Sequence, residues 1–470
     1  MTIENFRRRH VAAAISATVV ALASGNAMGA AFALQESSAS GLGNAYAGGA
    51  ARVDDAGTVW SNPAGMWKLD RMQLVLGIGI ITPSIKFSDE GSLPAAFQPL
   101  GNTGGDAGGT NFVPNAYFVV PINKQFSFGV GVTAPFGLKT EYNSDWLGRF
   151  QGVKSEVKTV NVNPALSWRA TDTLAFGLGV DWQRIDATFT SQVNYSAGLG
   201  QAAQTAAQQG LIPAALVPVI IGATPGLEAS SSVKGDDSAW GWNIGVLYDV
   251  SPSTQIGAHY RSSLKYHIDG NVSFGTPALP VLPPALAPVV GQLAGAVNAQ
   301  LANGGVKSNI ELPDIVNASI FHRFDNKWDL MADVQWTRWS TITDLTFTRT
   351  TGSVLQSTPE NFDDAWRVSV GANYRYNDSW LFRGGLAWDQ TPVNTADRTV
   401  RLPDEDRFWF SIGAQYRISN NLRVDGGFTY IMANKANINQ NAGSTAAYGL
   451  VLGKYDANVT IFGAQFDYSF

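Results

Sequence analysis

From Phe462 to Phe470 an apolar residue stands at every second position: Phe462, Ala464, Phe466, Tyr468 and Phe470, with Gly463, Gln465, Asp467 and Ser469 between them. A β-strand turns successive side chains to opposite faces, so this run has an oily side and a wet side. Barrel strands that face lipid read this way. Hydrocarbon offers no partner to backbone amides, so strands of period two can cross a bilayer only within a closed barrel. The run therefore predicts an all-β fold, a transmembrane antiparallel β-barrel, together with its location in a membrane.

The front of the chain predicts the route there. Arg7, Arg8 and Arg9 precede an apolar run from Val11 to Ala23, and small residues follow at Ala27, Gly29, Ala30 and Ala31. This is the pattern of a secretory signal peptide, assigned to residues 1–29, with the mature chain beginning near Ala30. A membrane anchor is the weaker reading, because a crossing helix needs about 20 apolar residues. A later apolar stretch, Leu211 to Gly222, is broken by Pro213 and Pro218 and is also too short. A mean hydropathy of -0.03 is too polar for a helical membrane protein. The 49 Gly, 14 Trp, 14 Tyr and 24 Phe suit strands with aromatic girdles instead. A net charge of -5 offers no basic surface for nucleic acid. With no Cys, disulfides, thiolate metal sites and cysteine nucleophiles are excluded, which suits an oxidising periplasm.

Similar alternation recurs at Leu74 to Ile80, Phe126 to Val132, Val160 to Trp168 and Leu174 to Trp182, and in later runs such as Trp328 to Trp336 and Phe408 to Ile418. The runs number about 14, an even count as bacterial barrels require. Tight turns at Pro121 to Gln125, Ala170 to Asp172, Ser251 to Ser253, Phe324 to Lys327, Asn377 to Ser379 and Ser419 to Asn421 alternate with long connections around 88–111, 193–231, 275–305 and 437–456. Short turns belong to the periplasmic side and long loops to the outside, so both termini are expected in the periplasm of a bacterial outer-membrane protein. Two long loops, 193–231 and 275–305, are apolar and Pro-rich. They are expected to pack on each other, to offer a docking surface for an apolar ligand, or both.

Residues 30–70 do not alternate, yet Phe32, Leu34, Tyr46, Trp60 and Trp67 make them too apolar for a solvated tail. A plug within the lumen is expected, followed by the barrel over 71–470. Here the residues carry a resemblance. Ala31-Phe32-Ala33-Leu34-Gln35-Glu36, Ser40-Gly41-Leu42-Gly43-Asn44-Ala45-Tyr46, Asp54-Asp55-Ala56-Gly57 and Asn62-Pro63-Ala64 are similar to the N-terminal hatch of the FadL family of outer-membrane long-chain fatty-acid and hydrocarbon transporters. The likeness continues through Leu312-Pro313-Asp314, Trp336 to Ser340 and Leu402-Pro403-Asp404-Glu405-Asp406-Arg407-Phe408-Trp409.

The resemblance implies a barrel of fourteen strands plugged by the hatch, with capture by loops, lumenal binding and lateral exit. It implies ligand-binding roles for Phe32, Leu34 and Arg184, and hatch-motif roles for Gly41, Gly43, Asp54, Asp55, Asn62, Pro63 and Ala64. In the third strand, Ala134, Pro135, Phe136 and Gly137 break the run. A Pro inside a sheet marks an edge or a bulge, so a local gap is expected there, and the resemblance makes it a lateral gate. Arg184 has the wrong parity for a lumenal residue after Trp182, so that role needs a bulge or a position above the lipid band. Lumen-parity arginines such as Arg367, Arg383, Arg407 and Arg423 are expected to be neutralised by carboxylates across the lumen.

The cargo is read as long-chain fatty acid, with toluene-like aromatic hydrocarbon as the alternative. An outer-membrane lipid hydrolase is the rival of another class. His259 and His267 share lumen parity, but no Gly-x-Ser-x-Gly elbow or His-Glu-x-x-His motif accompanies them, and no catalytic residue is assigned. An open porin is disfavoured by the plug. No cofactor or metal is expected. The partners are the hydrophobic substrate, membrane lipid and outer-leaflet lipopolysaccharide, with no nucleic acid, and the chain is expected to be a monomer.

Overall fold

The computed structural model describes residues 31–441 and 445–470, so the assigned signal peptide over 1–29 lies outside the described residues. Its strands form one closed antiparallel sheet of fourteen staves. These are β1 Gln73–Asp89, β2 Asn111–Pro121, β3 in two pieces, Phe126–Thr133 and Gly137–Glu141, β4 Lys154–Arg169, β5 Leu174–Asn194 and β6 Glu228–Ser251. Then come β7, Thr254–Arg261 and Leu264–Gly275, β8, Gly304–Leu312 and Ile315–Arg323, β9, Trp328–Thr337 and Asp344–Arg349, and β10, Val354–Pro359 and Ala365–Arg375. The ring ends with β11 Trp380–Asp389, β12 Arg407–Arg417, β13, Leu422–Ala433 and Ala436–Gln440, and β14 Val451–Ser469. It closes where β14 pairs with β1, from Gln73 opposite Ser469 to Asp89 opposite Gly453.

The alternation that predicted this wall places Phe462, Phe466 and Tyr468 outside and buries Gln465, Asp467 and Ser469 within. The apolar belt has aromatic borders. On β9, Trp328 and Trp336 mark its two edges eight residues apart, roughly 27 Å at the usual strand rise. Trp328 packs on Tyr374 at 4.7 Å, and Trp336 lies opposite Trp366.

Above that upper border the two faces exchange chemistry. On β5 the outward residues are Phe176, Leu178 and Val180, and the inward ones include Asp181 and Gln183. From Arg184 upward the outward positions become Arg184 and Asp186, while Ile185 and Phe189 point in. The register does not slip, since Arg184 lies opposite both Val160 and Ser238 in unbroken ladders. β4 does the same, with Leu166 and Trp168 outward below, and Lys154, Glu156 and Lys158 outward above over an inward Val157. The strand parity persists; what each face must contact has changed.

The apolar loops 193–231 and 275–305 carry three helices, Tyr195–Gln208, Leu216–Ala223 and Ala287–Gln300. They pack on each other through Tyr195, Leu199, Ile220, Val290, Leu293 and Val297. Their outer side leaves Leu211, Val219, Leu279 and Val281 exposed.

Candidate functional site

The segment before β1 sits inside the ring because the inner wall gives it room. A Cβ on Gly257 of β7 or on Gly245 of β6 would fall 1.9 Å from the Ala50 carbonyl or the Asn62 side chain, respectively. At Gly177 of β5 it would meet the Ala64 nitrogen at 2.2 Å, and at Gly385 of β11 the Asn44 carbonyl at 2.2 Å. At Gly413 of β12 and Gly427 of β13 it would meet Gly43 at 2.7 Å and the Ala39 carbonyl at 2.8 Å. The segment thus contacts staves on opposite sides of the lumen.

Its short motifs are turns and tethers. Asn62 accepts from the Ala64 N–H (3.0 Å), and its Nδ2 donates to the carbonyls of Ala50 (2.6 Å) and Val246 (2.9 Å) on β6. Pro63 opens the tight helix Pro63–Lys68, and Ser167 of β4 donates to the Ala64 carbonyl at 2.9 Å. Gly41 leaves room for the Tyr46 ring. Asp55 accepts from Ser40 Oγ (3.0 Å), the Gly57 N–H (2.7 Å) and Gln465 Nε2 of β14 (2.9 Å). Asp54 pairs with Arg52 and with Arg383 of β11, which also holds Asp425. Arg407 pairs with Asp389 at 2.8 Å, and Arg423 with Asp467. Glu36 differs from these: both its carboxyl oxygens are buried without a hydrogen bond among the described residues, and burial pushes its pKa up to about 7 against the pull of Arg407 and Arg367.

The break in β3 is real in the backbone. β2 pairs with β3 only from Pro121 opposite Ser127 to Ala116 opposite Val132, and above that level β2 pairs with β1 alone. Ala134 and Pro135 carry the chain inward, and Phe136 is buried against Phe32 (6.0 Å) and Trp339 (6.1 Å). Phe136 is tied to β4 by Thr159, whose Oγ1 accepts from its N–H (2.9 Å) and donates to its carbonyl (2.7 Å). The front of the chain fills the inner side of the break. Leu34 N–H donates to the Pro135 carbonyl and Gly137 N–H to the Phe32 carbonyl, each at 2.8 Å, around a bridge of Ala33 to Phe136.

Over this strap lie two adjoining apolar chambers, partly open to solvent, with about 460 and 520 Å³ of non-atom space including their openings. Val157, Phe189, Ile310 and Leu345 line both. The upper one adds Ile185, Val233 and Phe347, and the lower one adds Phe32 as its floor together with Leu138, Ile342 and Phe362. Only the lower chamber brings in two buried side chains of opposite charge, Glu360 and Arg401, with no ion pair between them among the described residues. Arg401 hangs from the tops of β4 and β5, its Nη1 donating to Ser155 Oγ (3.1 Å) and the Lys154 carbonyl (3.3 Å), with its guanidinium 5.5 Å from the Phe189 ring. Burial pulls its pKa down to about 10 and pushes that of Glu360 up to about 8.

Of the three ligand candidates read from the sequence, Phe32 lines this space and Leu34 and Arg184 do not. Leu34 packs below the strap and borders a separate polar cavity with His259, Arg261 and Arg367. Arg184 is on the outer face, 45% exposed and paired with Asp186 (3.1 Å) and Asp236 (2.8 Å), and β5 has no bulge to bring it inward. His259 is buried in the lumen as expected, whereas His267 is exposed, because the interruption of β7 between Arg261 and Leu264 exchanges the faces. Arg401 and Glu360 were missed because they lie on loops. The available signal was a lone Arg between Val400 and Leu402, just before a motif already singled out.

Residues 20–470 match the family described as outer membrane protein transport protein (OMPP1/FadL/TodX). The long-chain fatty acid transport protein of Escherichia coli O6:H1 is 32% identical over 455 residues, covering 97% of each chain. Outer membrane protein P1 of Haemophilus influenzae is 30% identical over 484 residues, covering 97% of this chain and 98% of its own. Among solved structures, a Pseudomonas aeruginosa FadL homologue superposes with a TM-score of 0.81 at 24% identity, over 94% of this chain and all of that one. The Pseudomonas putida toluene transporter TodX gives 0.62 at 19% identity, over 90% and 95%. The match describes transport proteins and not enzymes, and its members lie in the bacterial outer membrane. With a closed barrel of fourteen staves around its own N-terminal segment, the chain belongs to the outer membrane protein transport protein family, OMPP1/FadL/TodX.

Proposed function

We propose that this chain takes up long-chain fatty acids, with the acyl tail lying through the two apolar chambers and the carboxylate at Arg401. The carrying observation is a buried guanidinium, beside the buried Glu360 carboxyl, on the wall of two adjoining and mainly apolar spaces. A tail leaves water by burying its methylenes, at about 0.8 kcal/mol each. Its carboxylate, costly to bury alone, needs a cation or several donors. Capture begins on the exposed apolar face of the helical loops, and exit is lateral, through the interrupted β3, after Phe32 to Leu34 withdraw. The relatives named as long-chain fatty acid transport proteins support this reading.

The aromatic cluster of Phe32, Phe136, Trp339 and Phe362 favours a second cargo, small aromatic hydrocarbons, which need no handle. Outer-leaflet lipopolysaccharide is the proposed surround. Arg184, Lys265, Lys307 and Arg338 project outward above the aromatic border, at headgroup level, and the chain acts as a monomer. The test is uptake of a radiolabelled long-chain fatty acid by cells carrying this chain. Replacing Pro135 and Gly137 with Val should abolish uptake while leaving a folded barrel by heat-dependent gel mobility. Undiminished uptake in that variant would remove the lateral route.

A further inference from the structure

Glu360 gives the lower chamber a feature that an uptake site for a tail and a head group does not need. Two groups that attract each other when charged line the same apolar walls, yet each is held by something else. Arg401 spends its hydrogen bonds on the wall through Nη1, and the Glu360 backbone N–H donates to the Thr343 carbonyl at 3.0 Å. Glu360 makes no ion pair with Arg401 among the described residues, and both residues line the chamber that a ligand head would enter. The other charged groups nearby do not compensate it. Asp397 raises its pKa further and is engaged by Asn361 Nδ2 (3.1 Å). Asp344 borders the same chamber and is engaged by Thr343 and Thr346. Asp364 on its own loop is half-buried and accepts from the Ser340 N–H.

Resting on the fatty-acid reading above, we propose that Glu360 couples entry of an anionic ligand to a proton: the ligand carboxylate and the Glu360 carboxylate compete for Arg401, and the ligand binds when Glu360 carries a proton. No covalent bond changes. Two carboxylates beside one guanidinium in an apolar chamber leave an unbalanced negative charge, which is relieved by protonating the one already displaced upward. The proton comes from solvent, and the neutral Glu360 can then donate to the incoming head group. The unliganded acid titrates at about 8, so anion binding should weaken as pH rises through that value and be level below it.

The experiment uses the full chain in nanodiscs with hexadecane sulfonate, whose head group keeps its charge throughout the range, and with hexadecan-1-ol as the neutral probe. Sulfonate affinity should fall about tenfold from pH 7 to pH 9, as one linked proton requires. Glu360→Gln should bind sulfonate as tightly at pH 9 as at pH 7, and the alcohol should bind alike to both proteins at both pH values. A flat sulfonate profile in the unmodified chain, or a slope that survives in Glu360→Gln, would overturn the proposal while leaving the fatty-acid reading standing. Alcohol binding with no sulfonate binding at any pH would overturn both.

Discussion

The lower and upper halves of this barrel use the same strands for opposite purposes. Below the upper aromatic border the wall is oily outside and polar inside, and the lumen is full, with glycines admitting the N-terminal segment and arginines meeting carboxylates from both it and the wall. Above the border the outside carries Arg184, Asp186, Lys154 and Lys158, and the inside carries Ile185, Val157 and Phe189 around empty space. The hydrophobic effect selects the face that leaves water, and which face that is depends on height. In the lower half a buried charge is tied to a partner of opposite sign; in the upper half a buried charge is left available.

The sharpest way to break that contrast is to remove one partner below. Arg383→Met leaves Asp425 without its cation and Asp54 with Arg52 as its remaining partner, and breaking a buried pair from one side costs about 3–5 kcal/mol. Urea unfolding should show a loss of that order; a variant as stable as the parent would mean that these pairs are not the cement of the lower half. Glu36 is the lower half's exception, a buried carboxyl without an ion pair among the described residues. Its pKa rises from the ordinary 4.5 to about 7 on burial, so the segment's seating is strongest below pH 4.5 and weakens as pH rises toward 7, by on the order of 3 kcal/mol in all. Glu36→Gln should erase that slope in protease accessibility of residues 31–72 between pH 5 and pH 8. A slope that persists would place the titration elsewhere. In the upper half, Arg401→Gln should weaken fatty-acid binding by about 1.5–3 kcal/mol, the worth of a charged hydrogen bond, and leave a neutral hydrocarbon unchanged. Equal losses for both ligands would give Arg401 a purely structural role. Smallest of all, Arg184→Ala should change neither binding nor stability by more than about 0.5 kcal/mol, since its ion pairs are exposed.

The same height dependence decided what could be read from sequence. The staves within the membrane were legible because lipid outside and polar groups inside give period two a single meaning; Phe462 to Phe470 sufficed for architecture. Above the membrane the period survives in Leu345 and Phe347 against Thr346 and Thr348, but nothing in the residues says that oil now means inward. Hence Arg184, given a ligand-binding role, stands on the outer face, and the hairpin formed by Asp344–Arg349 and Val354–Pro359 was not anticipated. The hatch motifs were readable as turns, while their partners, such as Val246 for Asn62 and Gln465 for Asp55, depend on a register no short motif contains.

The inward glycines carry a further consequence. At Gly177, Gly245, Gly257 and Gly385 the wall has no side chains with which to refill the space, so a departed hatch would leave an open hole through the cell's permeability barrier. Small hydrophilic toxins would enter with every cycle. The lateral route proposed above asks only that something smaller than the hatch should move. The four-residue lip from Ala31 to Leu34 is suited to this: Phe32 and Leu34 meet β3 through two backbone hydrogen bonds, whereas Asn62, Asp54 and Asp55 are tethered to several staves at once. On the lateral route proposed above, the protein would work as a valve with a fixed seat and a short lip, passing an oily molecule sideways while the seal against water stays shut.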